Sequence, residues 1–155
     1  MIQEYLYIAI LVSFPEALLM ILIGLNLSNV RNAKITKFII VAAIQAVVAL
    51  MVRVLNIYLG IHTLIQIISL YFLVIVFFKV KFYKAIIPVL IGMLVQIMLQ
   101  SVIFTSISVV RGIELSKIYY TPKSAVLYSI PVFVVSLIFF VFIKRKNFCL
   151  FDIND

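Results

Sequence analysis

From Thr63 to Phe78 the sequence reads TLIQIISLYFLVIVFF, without one charged residue. Its apolar residues do not alternate with polar ones, so it lacks the period of two that a barrel strand requires. A helix crossing a hydrocarbon layer about 30 Å thick needs roughly 20 mostly apolar residues, and this stretch has that character. Similar stretches elsewhere bring the predicted helices to five, at about 5–27, 36–55, 63–80, 85–109 and 126–143. Hydrophobic residues make up 66% of the 155-residue chain and charged residues 12%, against about 45–50% and 25% in soluble domains. A soluble fold of this size has nowhere to bury so much apolar surface. The sequence therefore predicts an all-α, polytopic membrane helix bundle, a single integral membrane domain over 1–155. Its first helix is broken near Pro15, and a short tail follows from 144 to 155.

The formal net charge is +8. The basic residues lie in short clusters between apolar runs, the pattern of membrane anchoring rather than of nucleic-acid binding. Arg31, Lys34 and Lys37, then Lys79, Lys81 and Lys84, then Lys144, Arg145 and Lys146 fall on one side of a five-span chain. They are nine of the 13 Lys and Arg residues. The positive-inside rule then puts the N-terminus outside and the C-terminus in the cytoplasm of a cell membrane. The N-terminus has neither a basic stretch nor an A-x-A-like site, so no cleavable signal is expected. Heavy use of Ile, Lys, Phe and Asn suits an AT-rich bacterial genome. In the longest connection, RGIELSKIYYTPKSA (111–125), Tyr119 and Tyr120 read as interfacial anchors or as a substrate-contacting lip.

SFPE (13–16) fits the S-x-x-E capping box, in which Ser13 caps a helix start and Glu16 reaches back to its amide. Pro15 suits a first turn and, deeper in a helix, removes a hydrogen bond. A break near residue 13 is expected, with residues 2–12 as an outer half-helix crossing the membrane or lying on it. Glu16 precedes Arg31 by about as many positions as Arg53 follows Lys37, roughly 22–24 Å of helix in each case. In an antiparallel hairpin the two opposite charges share a height. An unpaired charge at depth costs at least about 2.5–3.5 kcal/mol, which favours pairing. Three readings stay open. The pair is a structural bridge; or it is the floor of an outward-facing pocket with His62 above it; or Arg53 snorkels to the outer headgroups alone.

His62 has no neighbours at metal-ligand spacing and no H-E-x-x-H pattern. It is either an interfacial residue or a ligand- or proton-sensing one. Gly92, Gln96 and Gln100 recur every four residues and form one stripe of the fourth helix. Glutamines in hydrocarbon need protein partners. Gln45 in the second helix and Gln66 in the third are candidates to meet them, as interhelical glue or as a polar route. Ser101, Thr105, Ser106 and Ser108 continue the polar character outward, as a vestibule would.

No catalytic motif, metal site or cofactor site is expected. There is no G-x-S-x-G, no P-loop and no paired intramembrane aspartate, and the single cysteine, Cys149, excludes an intrachain disulfide. An acid–base pair of Glu16 and His62 is the remaining enzymatic reading. KRKNF (144–148) reads as a lipid-headgroup anchor and FCLF (148–151) as a segment able to dock a partner.

FPEALLMILIGL (14–25), the region of Arg53, GIHTLIQIISLYFLVIVFFKVKFYKAII (60–87) and a last helix ending in a basic stop resemble a known arrangement. It is the membrane-embedded N-terminal sensor region of quorum-sensing and sporulation-type histidine kinases of low-GC Gram-positive bacteria. The resemblance spans most of the chain. In that family a cytoplasmic dimerisation and ATP-binding module follows, whereas this sequence ends at Asp155. What the resemblance implies is a non-enzymatic sensor or accessory subunit, perceiving an extracellular peptide or envelope signal. It would act through a membrane or cytoplasmic protein partner, or as a homo-oligomer among membrane lipids. Two rival readings are a membrane subunit of a small-molecule transporter and a structural or chaperone-like subunit that binds another protein's helix.

Overall fold

The computed structural model describes residues 6–30, 33–55, 59–112 and 122–152; within these the side chains of Arg53, Leu59, Arg111, Pro122 and Lys123 lie outside the description. The described residues form helices joined by short links: α1 (Leu6–Leu27), α2 (Ile35–Val54), α3 (Leu59–Phe78), α4 (Ile86–Arg111) and α5 (Pro122–Lys146). All five are long and apolar enough to cross a membrane. A single 3₁₀ turn, Phe82–Lys84, precedes α4.

Consecutive helices run antiparallel, as short links require. Phe38 at the start of α2 stacks edge-on against Phe78 at the end of α3, with ring centroids 4.8 Å apart. α1 is the centre of the bundle, packing on α2, α4 and α5, while α3 closes the outside between α2 and α4. Half of the most apolar window of α1 is buried, against 11% of that of α3. Ala17, Ile21 and Leu25 of α1 join Phe38, Val41 and Ala42 of α2 and Leu70 and Val74 of α3 in one buried cluster. In a second cluster, Ile23 and Leu27 of α1 meet Ile143 of α5.

The irregularity expected near Pro15 is a π-helical turn, Ala9–Ser13, rather than a gap in the helix. Proline lacks the N–H that an α-helix needs, and its ring crowds the carbonyl four residues back. Widening the preceding turn relieves that crowding, and the Phe14 amide donates to the Ala9 carbonyl, five residues back. Ser13 has helical dihedrals and makes no side-chain cap, so the capping box does not form; its hydroxyl is buried without a hydrogen-bond partner.

The stop signals are clearer. Asn29 and Asn147 adopt left-handed conformations at φ 59° and 50°. In each case a Schellman pair follows: Val30 N–H to Leu25 O at 2.8 Å after α1, and Phe148 N–H to Ile143 O at 3.1 Å after α5. Asparagine is among the few non-glycine residues that tolerate this conformation. The tail then folds back on the end of α1, where Leu150 and Phe151 N–H both donate to Leu27 O, at 2.8 and 3.1 Å. Asn29 Nδ2 donates to Asp152 Oδ2 at 2.6 Å. The segment FCLF thus docks within the chain itself. This arrangement gathers Lys34, Lys37, Lys79, Lys81, Lys84, Lys144, Arg145 and Lys146 at one end of the bundle.

Candidate functional site

Two glycines set the distance between α1 and α4. A Cβ built on Gly24 would collide with the Pro88 carbonyl, and one built on Gly92 with the Met20 carbonyl. The two Cα atoms lie so close that backbone meets backbone, the contact small residues allow between membrane helices. Two turns further along α4, Gln100 faces Glu16 across this contact, and its Nε2 donates to Glu16 Oε1. One turn before Gln100, buried Gln96 accepts from Ser136 Oγ of α5 at 3.3 Å. Glu16, Gln96, Gln100 and Ser129 border a cavity of about 20 Å³, otherwise lined by apolar residues including Leu11, Leu19, Phe104 and Phe133. That volume is room for about one water. A carboxyl group, two amides and a hydroxyl from three helices therefore converge roughly halfway along α1.

A second polar cluster joins α2 to α3. Gln45 Nε2 donates to the Gln66 carbonyl at 3.0 Å, and Ser69 Oγ donates to Gln45 Oε1 at 3.1 Å. Gln66 Nε2 lies 3.3 Å from His62 Nε2. An amide nitrogen only donates, so this ring nitrogen accepts. Gln45 and Gln66 thus meet each other and not Gln96 or Gln100, which bond to Ser136 and Glu16. The four glutamines form two seams where a single route was one of the expectations. Both ends of Gln45 are satisfied, which is what interhelical glue requires. Gln45→Leu deletes both bonds and is expected to lower stability by about 1 kcal/mol, at a mean of about 0.6 kcal/mol per bond in membranes; steric-trap or denaturant unfolding in detergent measures it.

The Arg53 side chain, and with it the Glu16–Arg53 pairing, lies outside the described residues, as do Tyr119 and Tyr120. Ser101, Thr105 and Ser106 do not line the cavity. They are exposed on the outer face of α4, where Ser106 Oγ returns its proton to the Val102 carbonyl at 2.7 Å. Among the described residues these three side chains face outward rather than into the cavity. Among the described residues no three His, Cys, Asp or Glu side chains converge as metal ligands would. Cys149 sits beside the end of α1 and His62 at the start of α3, at opposite ends of the bundle. Ser129 and Ser136 escaped the sequence reading. Their seven-residue spacing on an apolar helix marks one face and was the available signal.

No protein-family model, curated protein or solved structure matches the chain.

Proposed function

We propose that the protein is a multi-pass membrane sensor or regulatory subunit that acts through a partner protein. The observation that carries this reading is the Gln100–Glu16 hydrogen bond beside the small cavity. An ionisable side chain within a membrane helix is a functional-site hypothesis by default. Here it sits where α1, α4 and α5 meet. A ligand or protein that binds one arrangement of these helices more tightly shifts the population towards it. α1 then links this centre to the basic end of the bundle, about 16 Å away at 1.5 Å per residue. The resemblance to histidine-kinase sensor regions supports the same reading, and the bias of basic residues supports a cytoplasmic position for the basic end. The cavity has room for about one water, which does not favour a route for a solute.

Purification of the tagged chain from its native membrane, followed by mass spectrometry, tests the proposal. A regulator or kinase is expected among the retained proteins, with its retention or its response changed in Glu16→Gln. Retention of a transport ATPase with a bound metabolite would instead establish the transporter reading. Cys149, the only cysteine, reports orientation. A membrane-impermeant maleimide is expected to label it in permeabilised but not in intact cells. Labelling in intact cells would reverse the proposed topology.

A further inference from the structure

After its last basic residue the chain does not run off into solvent. The left-handed Asn147 turns it, and the amides of Leu150 and Phe151 tie it to the last carbonyl of α1. Leu27 ends the apolar span of α1, so the tail is fixed level with the helix ends, where hydrocarbon gives way to headgroups. Main-chain bonds hold it there while its side chains stay outside: Phe148, Leu150 and Phe151 are 52%, 63% and 46% exposed. Directly before them Lys144, Arg145 and Lys146 are exposed as well. A row of cations beside apolar side chains, at the depth of the headgroups, matches a phospholipid in both its parts. The phosphate meets the cations and the acyl chains meet the aromatic and aliphatic groups.

We infer that the folded-back tail and the end of α5 form a binding site for anionic phospholipid. The site goes beyond the proposed sensing centre. Because its main chain is bonded to Leu27, its occupancy bears on the same helix that carries Glu16. Charge complementarity selects a lipid over an apolar protein surface: among the described tail residues Asp152 is the acid, and it is turned inward onto Asn29.

The full chain, purified in detergent, would be given equimolar phosphatidylglycerol and phosphatidylcholine, and the lipid retained read by native mass spectrometry. Phosphatidylglycerol is expected to be retained preferentially. A basic residue near an anionic surface is worth about a fivefold change in binding, so K144Q/R145Q/K146Q is expected to weaken retention on the order of 100-fold. F148S/F151S, with all charges intact, is expected to weaken both lipids and to keep the preference. This second variant holds the test open if the first does not assemble. Equal retention of the two lipids by the wild type would overturn the inference, as would an unchanged preference in the triple variant. Displacement of the lipid by inorganic phosphate alone would show a soluble-phosphate site instead. A site filled only by a co-purifying protein, with neither lipid retained, would also overturn it.

Discussion

Gly92→Leu is expected to abolish assembly of the bundle, and Gly92→Ala to weaken it by about 1–3 kcal/mol, the range of an overpacked core. The reason is geometric. A Cβ at position 92 would run into the Met20 carbonyl, which belongs to a helix backbone and cannot turn aside as a side chain does. Relief requires α1 and α4 to move apart along their whole contact. That motion carries Gln100 away from Glu16, since their hydrogen bond depends on the same crossing. Gly24→Ala is expected to behave alike, because its Cβ meets the Pro88 carbonyl from the other side. Gly112 is the control. Nothing lies within 4 Å of a Cβ there, but its φ is +63°. Gly112→Ala is expected to cost about 1 kcal/mol through backbone strain alone. Unfolding in mild detergent, with size-exclusion profiles for the leucine variant, separates the two mechanisms. A Gly92→Leu protein that assembles and unfolds like the wild type would disprove the close crossing.

The helices were legible in the sequence because their cause is one-dimensional. A span needs length and continuity of apolar residues, and Ile35–Val54 and Ile86–Arg111 lie within a few residues of the stretches counted. The irregularity at Pro15 was legible too, though its form was not. The S-x-x-E pattern pointed to a new helix start, but inside a bundle the backbone keeps its hydrogen bonds by widening one turn, where capping would leave several amides open. The polar partners were hardest to read. The four glutamines announce that each needs a partner, but which one it finds depends on helix rotation and neighbour order, and neither is written in local periodicity. With α3 outside α1, Gln45 and Gln66 are left to each other. The Gln100–Glu16 pairing depended on Gly24 and Gly92 matching across two helices, a relation between distant positions. The docking of the tail on Leu27 carried no signal beyond the two asparagines that end α1 and α5.

Gln100→Leu is the second large effect expected, and it bears on function as well as stability. It removes a donor from Glu16 while leaving the carboxyl group among three helices. The pair is part-buried, so removing one partner costs part of the desolvation of the group left behind, within about 1–3 kcal/mol. Gln45→Leu deletes two bonds from neutral partners, yet it is expected to cost less, because neither the Ser69 hydroxyl nor the Gln66 carbonyl is charged. Glu16→Gln on its own is expected to leave stability near that of the wild type, since an amide oxygen still accepts from Gln100. Introduced into Gln100→Leu, it should recover part of the loss, because a neutral amide is cheaper than a carboxylate to leave without that donor. The unfolding free energies of the four proteins form a double-mutant cycle, and a coupling near zero would show that the carboxyl group adds nothing to the bond beyond what a neutral amide supplies. The same four proteins separate architecture from sensing. If the pair only joins α1 to α4, every variant that assembles will respond like the wild type and retain the same partner. If Glu16 is the centre of a response, Glu16→Gln will be as stable as the wild type and still fail to respond.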